Sequence, residues 1–494
     1  MIESAAPPPQ LPLRVRIVRG LGWKIASETW SQVFGIAVAI LLARLLTPHD
    51  YGVAAMVIVF ATLVPIFADL ALGAALIQRR HLTEEDRSTV FWTSAATGAA
   101  FTAAGIGLSW TVADFYNEPA VQPLFAALSC SFFFSSLGST QAALLNREMN
   151  FRALELRAMA GVFAGGVLGV ALAATGYGPW AIVGQQVVTV AVSTVLLWVL
   201  GDWRPRFIFS VASLRKFGGF SAKVFGTRIL FYLNRNVDNL LVGKALGAKA
   251  LGLYALAYNV MLSPMSRLSQ PIQTVFFPAF AELQDDLERM RSMWLRVNRL
   301  VGAVTIPAML GLVVVAPEFV EFVLGQKWAA AAPVIQVLAG VGLLQSLQSL
   351  NSSILQARDR AGVLLWYSLV ALVLSLIGFF AGLPWGVVGV AAGYAIASVF
   401  IESYYTWLTA RALELPALSL VGALSGVIQA AIGMFAVVFA VRAVLPESVG
   451  PGLQLLLLVL TGIVVYGALC AWRAPDVREE VQALVRRRRR RAVP

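Results

Sequence analysis

Apolar segments of bilayer length follow one another almost without pause from residue 24 to residue 472. A helix crossing ~30 Å of hydrocarbon needs roughly 20 apolar residues, and a backbone in lipid must close its hydrogen bonds within the segment, so these runs read as transmembrane helices. Breaks at charges, Pro and Gly set about fourteen spans: 24–47, 51–78, 89–112, 122–144, 158–176, 178–200, 224–246, 251–278, 298–317, 333–356, 363–382, 387–410, 418–444 and 451–472. With 59% hydrophobic and only 13% charged residues, the chain falls outside the soluble globular class. The expected fold class is an all-α integral membrane protein.

Cations set the orientation, because Lys and Arg are retained on the cytoplasmic side. With the N-terminus inside, only Lys244, Lys249, Lys327 and Arg442 of the 38 Lys and Arg lie outside, while Arg44, Arg228, Arg235 and Arg267 lie within or at the edge of spans. Both termini are therefore expected in the cytoplasm. The start MIESAAPPPQ lacks the basic region of a cleaved signal peptide, so the first span is expected to target the chain. The run RRRRRR at 486–491, with Arg14, Arg16 and Arg19 ahead of the first span, is expected to hold that face against anionic lipid rather than to bind nucleic acid. Cys130 and Cys470 both fall inside spans, far apart in sequence, so no disulfide framework or metal site is readable.

The chain repeats itself. ARLLTPHDYGVAAM (43–56) joins spans 1 and 2, and GKALGAKALGLYAL (243–256) joins spans 7 and 8. GYGPWAIVG (176–184) precedes span 6 as GLPWGVVG (382–389) precedes span 12, Pro65 matches Pro264, and ALLNRE (143–148) matches SILQARD (353–359). Six spans separate the copies, so the repeat is parallel, about an axis along the membrane normal. The expected organisation is a basic N-terminal segment (1–23), a first six-helix lobe (24–200), a cytoplasmic linker (201–223), a pseudo-symmetric second lobe (224–410), two extra spans (411–472) and a basic tail (473–494). Paired lobes suit a transporter that opens a shared site to alternate sides, although a duplicated scaffold would share the pattern.

Charges inside spans are costly, about 2.5–3.5 kcal/mol each on insertion scales, and so face a cavity or a partner. In span 7, Arg228 and Arg235 are seven residues apart and share nearly one helix face with Asn239, while Asp238 sits beside it. Span 8 carries a polar stripe that includes Asn259, Ser263, Arg267, Gln270 and Gln273; span 10 carries Gln345, Gln348 and Ser352. These stripes are expected to line a cationic, water-filled cavity, with plain helix-to-helix hydrogen bonding as the alternative for the Gln and Ser residues. Across the lobes, Glu28 corresponds to Arg228, and Asp69 lies at roughly the depth of Arg267. Glu28, Asp69 and Asp238 are thus gate or coupling candidates: the first two either pair with those arginines when the cavity is shut to the cytoplasm, or are neutralised within their own lobe. Pro264, Pro271 and Pro278 in span 8 are expected bends.

No G-x-x-x-x-G-K-S/T phosphate loop is present. His49 and His81 fall in loops on opposite sides, which leaves no metal or catalytic His pair. Outer loops are expected to be short, the longest at 318–332 with Glu318, Glu321 and Lys327. A membrane glycosyl polymerase or ligase would be expected to carry acid and base residues in a larger outer domain, so a non-enzymatic transporter without cofactor is the expectation.

FADLALGAALIQRRHLTEEDRSTVFW (67–92), ALLNREMNFR (143–152), GYGPWAIVGQQ (176–186) and NRNVDNLLVGKALGAKALGLYALAYNV (234–260) resemble the polysaccharide-export flippases, of Wzx/WzxC type, in the multidrug/oligosaccharidyl-lipid/polysaccharide superfamily. The similarity runs over about residues 20–415. The resemblance implies two six-helix bundles in a V with two further helices. It also implies an undecaprenyl-pyrophosphate-linked oligosaccharide substrate, moved to the outer leaflet of the bacterial inner membrane, with a separate polymerase and glycosyltransferase as pathway partners. A lipid II flippase and a drug/cation antiporter are the related alternatives. The assignment of Arg228, Arg235 and Arg267 to the pyrophosphate follows from charge and depth, since Arg offers bidentate hydrogen bonds to phosphate.

Overall fold

The structure, a computed structural model, describes residues 13–64, 66, 72–78, 82–214, 232, 236–262, 276, 280, 282–283, 286–416, 418–446, 448–477 and 479. The chain forms two compact units, Met1–Asn236 and Val237–Pro494. Among the described residues the first holds α1 (Leu13–Leu45), α2 (Pro48–Ala61), α3 (Leu72–Gln78), α4 (Glu84–Tyr116), α5 (Val121–Arg147), α6 (Phe151–Ala174) and α7 (Trp180–Leu200). The second holds a helical run α8 (Asn236–Leu262), whose first residue belongs to the first unit, and then α9 (Leu287–Phe319), α10 (Ala332–Ser346), α11 (Asn351–Ala357), α12 (Ala361–Gly382), α13 (Gly386–Ala412), α14 (Ser419–Val444) and α15 (Pro451–Arg473).

Ten described segments are long and apolar enough to cross a bilayer. One of them, Gly362–Ala412, comprises α12 and α13, folded back on each other at the turn before Gly386. The 33-residue α4 is too polar for that criterion, yet at 1.5 Å per residue it is long enough to span, and it packs along α5. The protein is a multi-pass, all-helical membrane protein. Side chains such as Ile463, Val464, Trp366 and Phe400 stand well exposed, as lipid-facing positions require and a water-facing surface would not tolerate in such number.

Small residues let the helices approach. Gly161, Gly165 and Gly169 recur every fourth residue on α6 and lie against Ser193, Thr189 and Ala181 of α7; a Cβ at Gly161 or Gly165 would fall on a hydroxyl. On α4, Gly98 and Gly105 meet Ser136 and Ser129 of α5 in the same way, and Gly378 and Gly382 of α12 meet Gly393 and Gly389 of α13. In lipid no hydrophobic force draws helices together, so close backbone contact and hydrogen bonds must do so. Thr194 Oγ1 accordingly donates to Phe134 O at 2.8 Å, and Trp198 Nε1 to Leu137 O at 3.1 Å, tying α7 to α5.

The matched stretches ALLNRE and SILQARD end in the same backbone geometry, one that also closes α4 at Asn117 and α13 at Glu414. At the end of α5, Met149 is left-handed (φ 58°), with Asn150 N donating to Leu145 O at 2.9 Å and Met149 N to Asn146 O at 3.0 Å. At the end of α11, Asp359 is left-handed (φ 52°), with Arg360 N donating to Leu355 O at 2.8 Å and Asp359 N to Gln356 O at 3.0 Å. Both are the six-to-one closure that a helix C-terminus makes when a left-handed residue follows it, here without glycine. The opening pair of turns is closed by different chemistry. Thr47 caps α2 through a capping box with Asp50, whereas Gly247, at φ 80°, interrupts the run α8 at the matching place.

One expectation is overturned. Residues 318–332 are not a loop: α9 continues to Phe319, a π-turn covers Val320–Leu324, and a 3-10 turn covers Gln326–Ala331 with Trp328 fully buried. Gly325, at φ 101°, makes the single sharp break. Glu318, expected in that loop, is buried, and Arg442 Nε of α14 donates to its Oε1 at 2.7 Å. Several boundaries also move outward, because amphipathic ends extend helices past the apolar run: α6 begins at Phe151 rather than 158, and α9 at Leu287 rather than 298. The connector after α7 is pinned to its own unit, with Trp203 Nε1 donating to Glu84 Oε1 at 2.8 Å, and Gln141 Nε2 to Trp203 O at 2.7 Å.

Candidate functional site

Of the residues marked by the sequence, Arg228, Arg235, Arg267, Asp69, Ser263, Gln270 and Gln273 lie outside the described residues. The same holds for Pro264, Pro271 and Pro278, and for the run 486–491. Asp238, Asn239, Gln345, Gln348 and Ser352 belong to a polar interior of the second unit, Asn259 of α8 is exposed, and Glu28 lies in the first unit.

Asp238 is 4% exposed. A carboxylate so enclosed needs donors, and Tyr254 Oη, one helical segment later on α8, supplies one to Oδ2 at 3.1 Å while the Asn239 backbone N–H supplies another to Oδ1 at 2.8 Å. Tyr254 stacks on Tyr258, with ring centroids 6.0 Å apart. Tyr394 of α13 lies within electrostatic reach of Tyr258 and Asp238, and Gln345 Nε2 of α10 donates to its hydroxyl at 2.9 Å. Asp238 and Gln345 are thus brought into one neighbourhood.

A second buried carboxylate, Glu402 of α13, escaped the sequence reading. Tyr367 of α12 hydrogen-bonds to it, and Tyr367 stacks face to face on Tyr405 at 3.9 Å. Tyr405 in turn bonds to Ser352. Glu402 Oε2 has no hydrogen-bond partner among the described residues although solvent is excluded from it. The signal was available: FIESYYTWL places an acid inside an apolar run with no cation nearby, the same cost argument that singled out Asp238.

Gln348 has little capacity left for a ligand. Its Nε2 donates to Thr406 Oγ1 at 3.0 Å and to Glu402 O at 3.3 Å, and its Oε1 accepts from Asn351 Nδ2, which is fixed through Asn351 Oδ1 by Trp294 Nε1 at 3.1 Å. The turn between α10 and α11 makes this possible by letting the Gln348 side chain reach α13. Helix-to-helix hydrogen bonding, the alternative reading of that stripe, describes Gln348 in this structure.

The first unit holds an open cavity of about 690 Å³ among α1, α3, α5, α6 and α7. Lys24, Glu155 and Arg157 bring charge to it, and Ser139, Thr189 and Ser193 bring hydroxyls. Arg157 is partly buried, and its Nε is closed off from solvent without a hydrogen-bond partner. Glu28 is exposed one turn from this cavity's rim, with Lys24 Nζ at 3.9 Å. In this structure Glu28 therefore has a partner within its own helix.

Residues 41–333 match the family described as "Polysaccharide biosynthesis protein". The chain is 30% identical over 403 residues to lipopolysaccharide biosynthesis protein WzxC of Escherichia coli, covering 80% of this chain and 82% of that one. It is 29% identical over 408 residues to teichuronic acid biosynthesis protein TuaB of Bacillus subtilis, covering 81% and 83%. Among solved structures it is similar to a lipid II flippase, MurJ, in an inward closed conformation, with a TM-score of 0.75, 16% identity and coverage of 92% of this chain and 99% of that one; at this identity the likeness speaks to the fold alone. The helical architecture expected from the apolar spans is thus the fold of that protein. By the match over more than half its length and by its likeness to WzxC, the chain belongs to the polysaccharide biosynthesis protein family.

Proposed function

We propose that this protein is an alternating-access flippase that carries an undecaprenyl-pyrophosphate-linked oligosaccharide from the cytoplasmic to the outer leaflet of a bacterial inner membrane, for exopolysaccharide, O-antigen or capsule assembly. The observation that carries the reading is similarity along four fifths of both chains to proteins named for polysaccharide biosynthesis, in a chain whose bilayer-length helices hold buried carboxylates and a polar cavity. Such groups are expensive in a membrane and mark substrate or ion pathways.

In this reading Arg228, Arg235 and Arg267 take the pyrophosphate, and their fork geometry replaces its lost hydration. The lipid tail stays in the bilayer. Asn259, Ser263, Gln270, Gln273 and Gln345 offer amide and hydroxyl groups to the glycan. Gln348 and Ser352, together with Asn239 beside Asp238, act as the fixed wall that holds the carboxylates. Asp238 and Glu402, enclosed among tyrosines, are the groups able to take up a proton or small cation and so couple lobe movement to a gradient; Glu28 and Asp69 serve the cytoplasmic gate. No covalent bond is made or broken, so the protein is a transporter and not an enzyme. Basic termini hold it on anionic lipid in the cytoplasmic leaflet, with the polymerase and glycosyltransferase as separate chains.

Cells lacking the protein test this directly. In spheroplasts an impermeant glycosidase should release little label from the lipid-linked glycan, because the glycan stays on the cytoplasmic face, and release should return with the restored gene. Equal release with and without the protein contradicts the assignment.

A further inference from the structure

The cavity in the first unit is lined unlike the rest of that bundle. It sits where the first half of α1 (Lys24), the end of α5 (Asn146), the start of α6 (Glu155 and Arg157) and the end of α7 (Leu197) converge, the side to which the Lys and Arg bias assigns the cytoplasm. Ala142 and Ala158 bring only methyl groups to its wall, which leaves space that larger side chains would fill. Its volume, about 690 Å³, lies in the middle of the ~300–1,000 Å³ that ligand sites occupy.

The hydrogen-bonding state of the wall is specific. Ser139 Oγ donates to Ser136 O at 3.0 Å, Thr189 Oγ1 to Gln185 O at 2.7 Å, and Thr194 Oγ1 to Phe134 O at 2.8 Å. Each of these hydroxyl protons is committed to a backbone carbonyl, as is that of Ser193 to Arg157 O at 3.4 Å, so these four oxygens present lone pairs, while the Asn146 amide offers both donors and an acceptor. Glu155 adds acceptors; Arg157 adds a donor fork, and Lys24 a donor at the mouth. A ligand that fits must therefore donate several O–H bonds, accept from one guanidinium, and be uncharged or weakly charged, because the cavity holds charges of both signs. A hydrocarbon tail fits poorly, since it would strip water from these groups without replacing the hydrogen bonds. A bare phosphate fits poorly too, since it has few protons to give to an acceptor wall.

We propose that this cavity is a sugar subsite: it receives a ring of the substrate's glycan on the loading side, with Arg157 bridging neighbouring ring hydroxyls and the Ser and Thr oxygens accepting from the others. The proposal rests on the flippase reading for its place in transport. The cavity lies wholly within the first unit, so it would determine which glycan is accepted before any lobe movement, separately from the arginines assigned to the pyrophosphate.

The test is protection of an introduced thiol in the purified full chain. In a Cys130→Ala, Cys470→Ala background, Ser193→Cys reports on the cavity, and Asp202→Cys, on the exposed connector, is the control. Modification by a small charged thiol reagent is timed with lactose, glucose or inorganic phosphate present. Either sugar should slow labelling at position 193 by about threefold once it is at roughly twice its Kd, with no effect at position 202 and none from inorganic phosphate. Arg157→Gln should abolish the protection while its melting temperature stays that of the parent, and Arg157→Lys should restore part of it. Unchanged labelling with both sugars, protection by phosphate equal to that by sugar, or full protection in a folded Arg157→Gln protein overturns the subsite. Flipping of a lipid-linked oligosaccharide in liposomes is scored on the same protein. Flipping without sugar protection overturns the subsite alone; sugar protection without flipping overturns the flippase reading and leaves the sugar site standing.

Discussion

Glu318 and Arg442, 124 residues apart in sequence, meet at 2.7 Å and join the ends of α9 and α14. Glu318 is nearly enclosed, with 10% of its side chain exposed against 30% for Arg442. Two further pairs, Arg299 with Asp476 at 2.5 Å and Arg291 with Glu414 at 3.0 Å, fix the opposite end of α9 to the same late region of the chain. The two extra spans are therefore fastened to the second unit at both ends of one helix, as integral parts of its core.

Removing the cation should expose how much that fastening matters. Arg442→Ala leaves an acid buried without its partner, and after discounting for the partly exposed guanidinium the expected loss is about 1–3 kcal/mol. Thermal unfolding in detergent measures it. The double variant Arg442→Ala, Glu318→Gln should regain most of the loss, since the uncompensated charge is gone.

The glycine stripe of α6 makes a sharper steric prediction. At Gly161 a Cβ meets Ser193 Oγ and the Thr189 carbonyl, while at Gly107 on α4 nothing lies within 4 Å. Gly161→Val should therefore cost about 1–3 kcal/mol through overpacking and sharply lower the yield of folded protein. Gly107→Ala should leave both yield and melting temperature unchanged.

Asp238 and Glu402 should separate coupling from binding. Asp238→Asn keeps an acceptor for Tyr254 Oη, so the fold should survive and the melting temperature should move little. In proteoliposomes the wild-type flipping rate should respond to an imposed proton or sodium gradient, whereas the Asp238→Asn rate should not. Glu402→Gln should behave alike, with Glu402→Ala destabilising as well, because Tyr367 then loses its partner. A gradient response that persists in Asp238→Asn removes that residue from the coupling role.

Much of this architecture is legible in the sequence because hydrophobic length and repetition are local properties. ALLNRE and SILQARD, alike in sequence, end in the same left-handed closure at Met149 and Asp359, which α4 and α13 also use. Asp238 could be marked from its cost alone. What escapes is whatever depends on a partner distant in sequence. Residues 318–332 carry charges and a glycine and so read as a loop, yet Arg442 and the buried Trp328 hold them in helical turns. Gln348 reads as a cavity residue until α13 is seen to satisfy it. The cavity around Arg157 draws on five helices, and no periodicity within any one of them reveals it.

The central claim is transport of a lipid-linked glycan past a cationic site, and one measurement tests it most directly. The purified protein is placed in liposomes with a labelled undecaprenyl-pyrophosphate oligosaccharide, and the fraction reached by an external glycosidase is followed over time for the wild type, for Arg235→Ala and for empty vesicles. The wild type should expose the glycan at least about tenfold faster than empty vesicles, equivalent to ~1.4 kcal/mol of barrier, with Arg235→Ala returning close to the empty-vesicle rate. A wild-type rate no faster than that of empty vesicles contradicts the flippase assignment, and an undiminished rate in Arg235→Ala contradicts the cationic site.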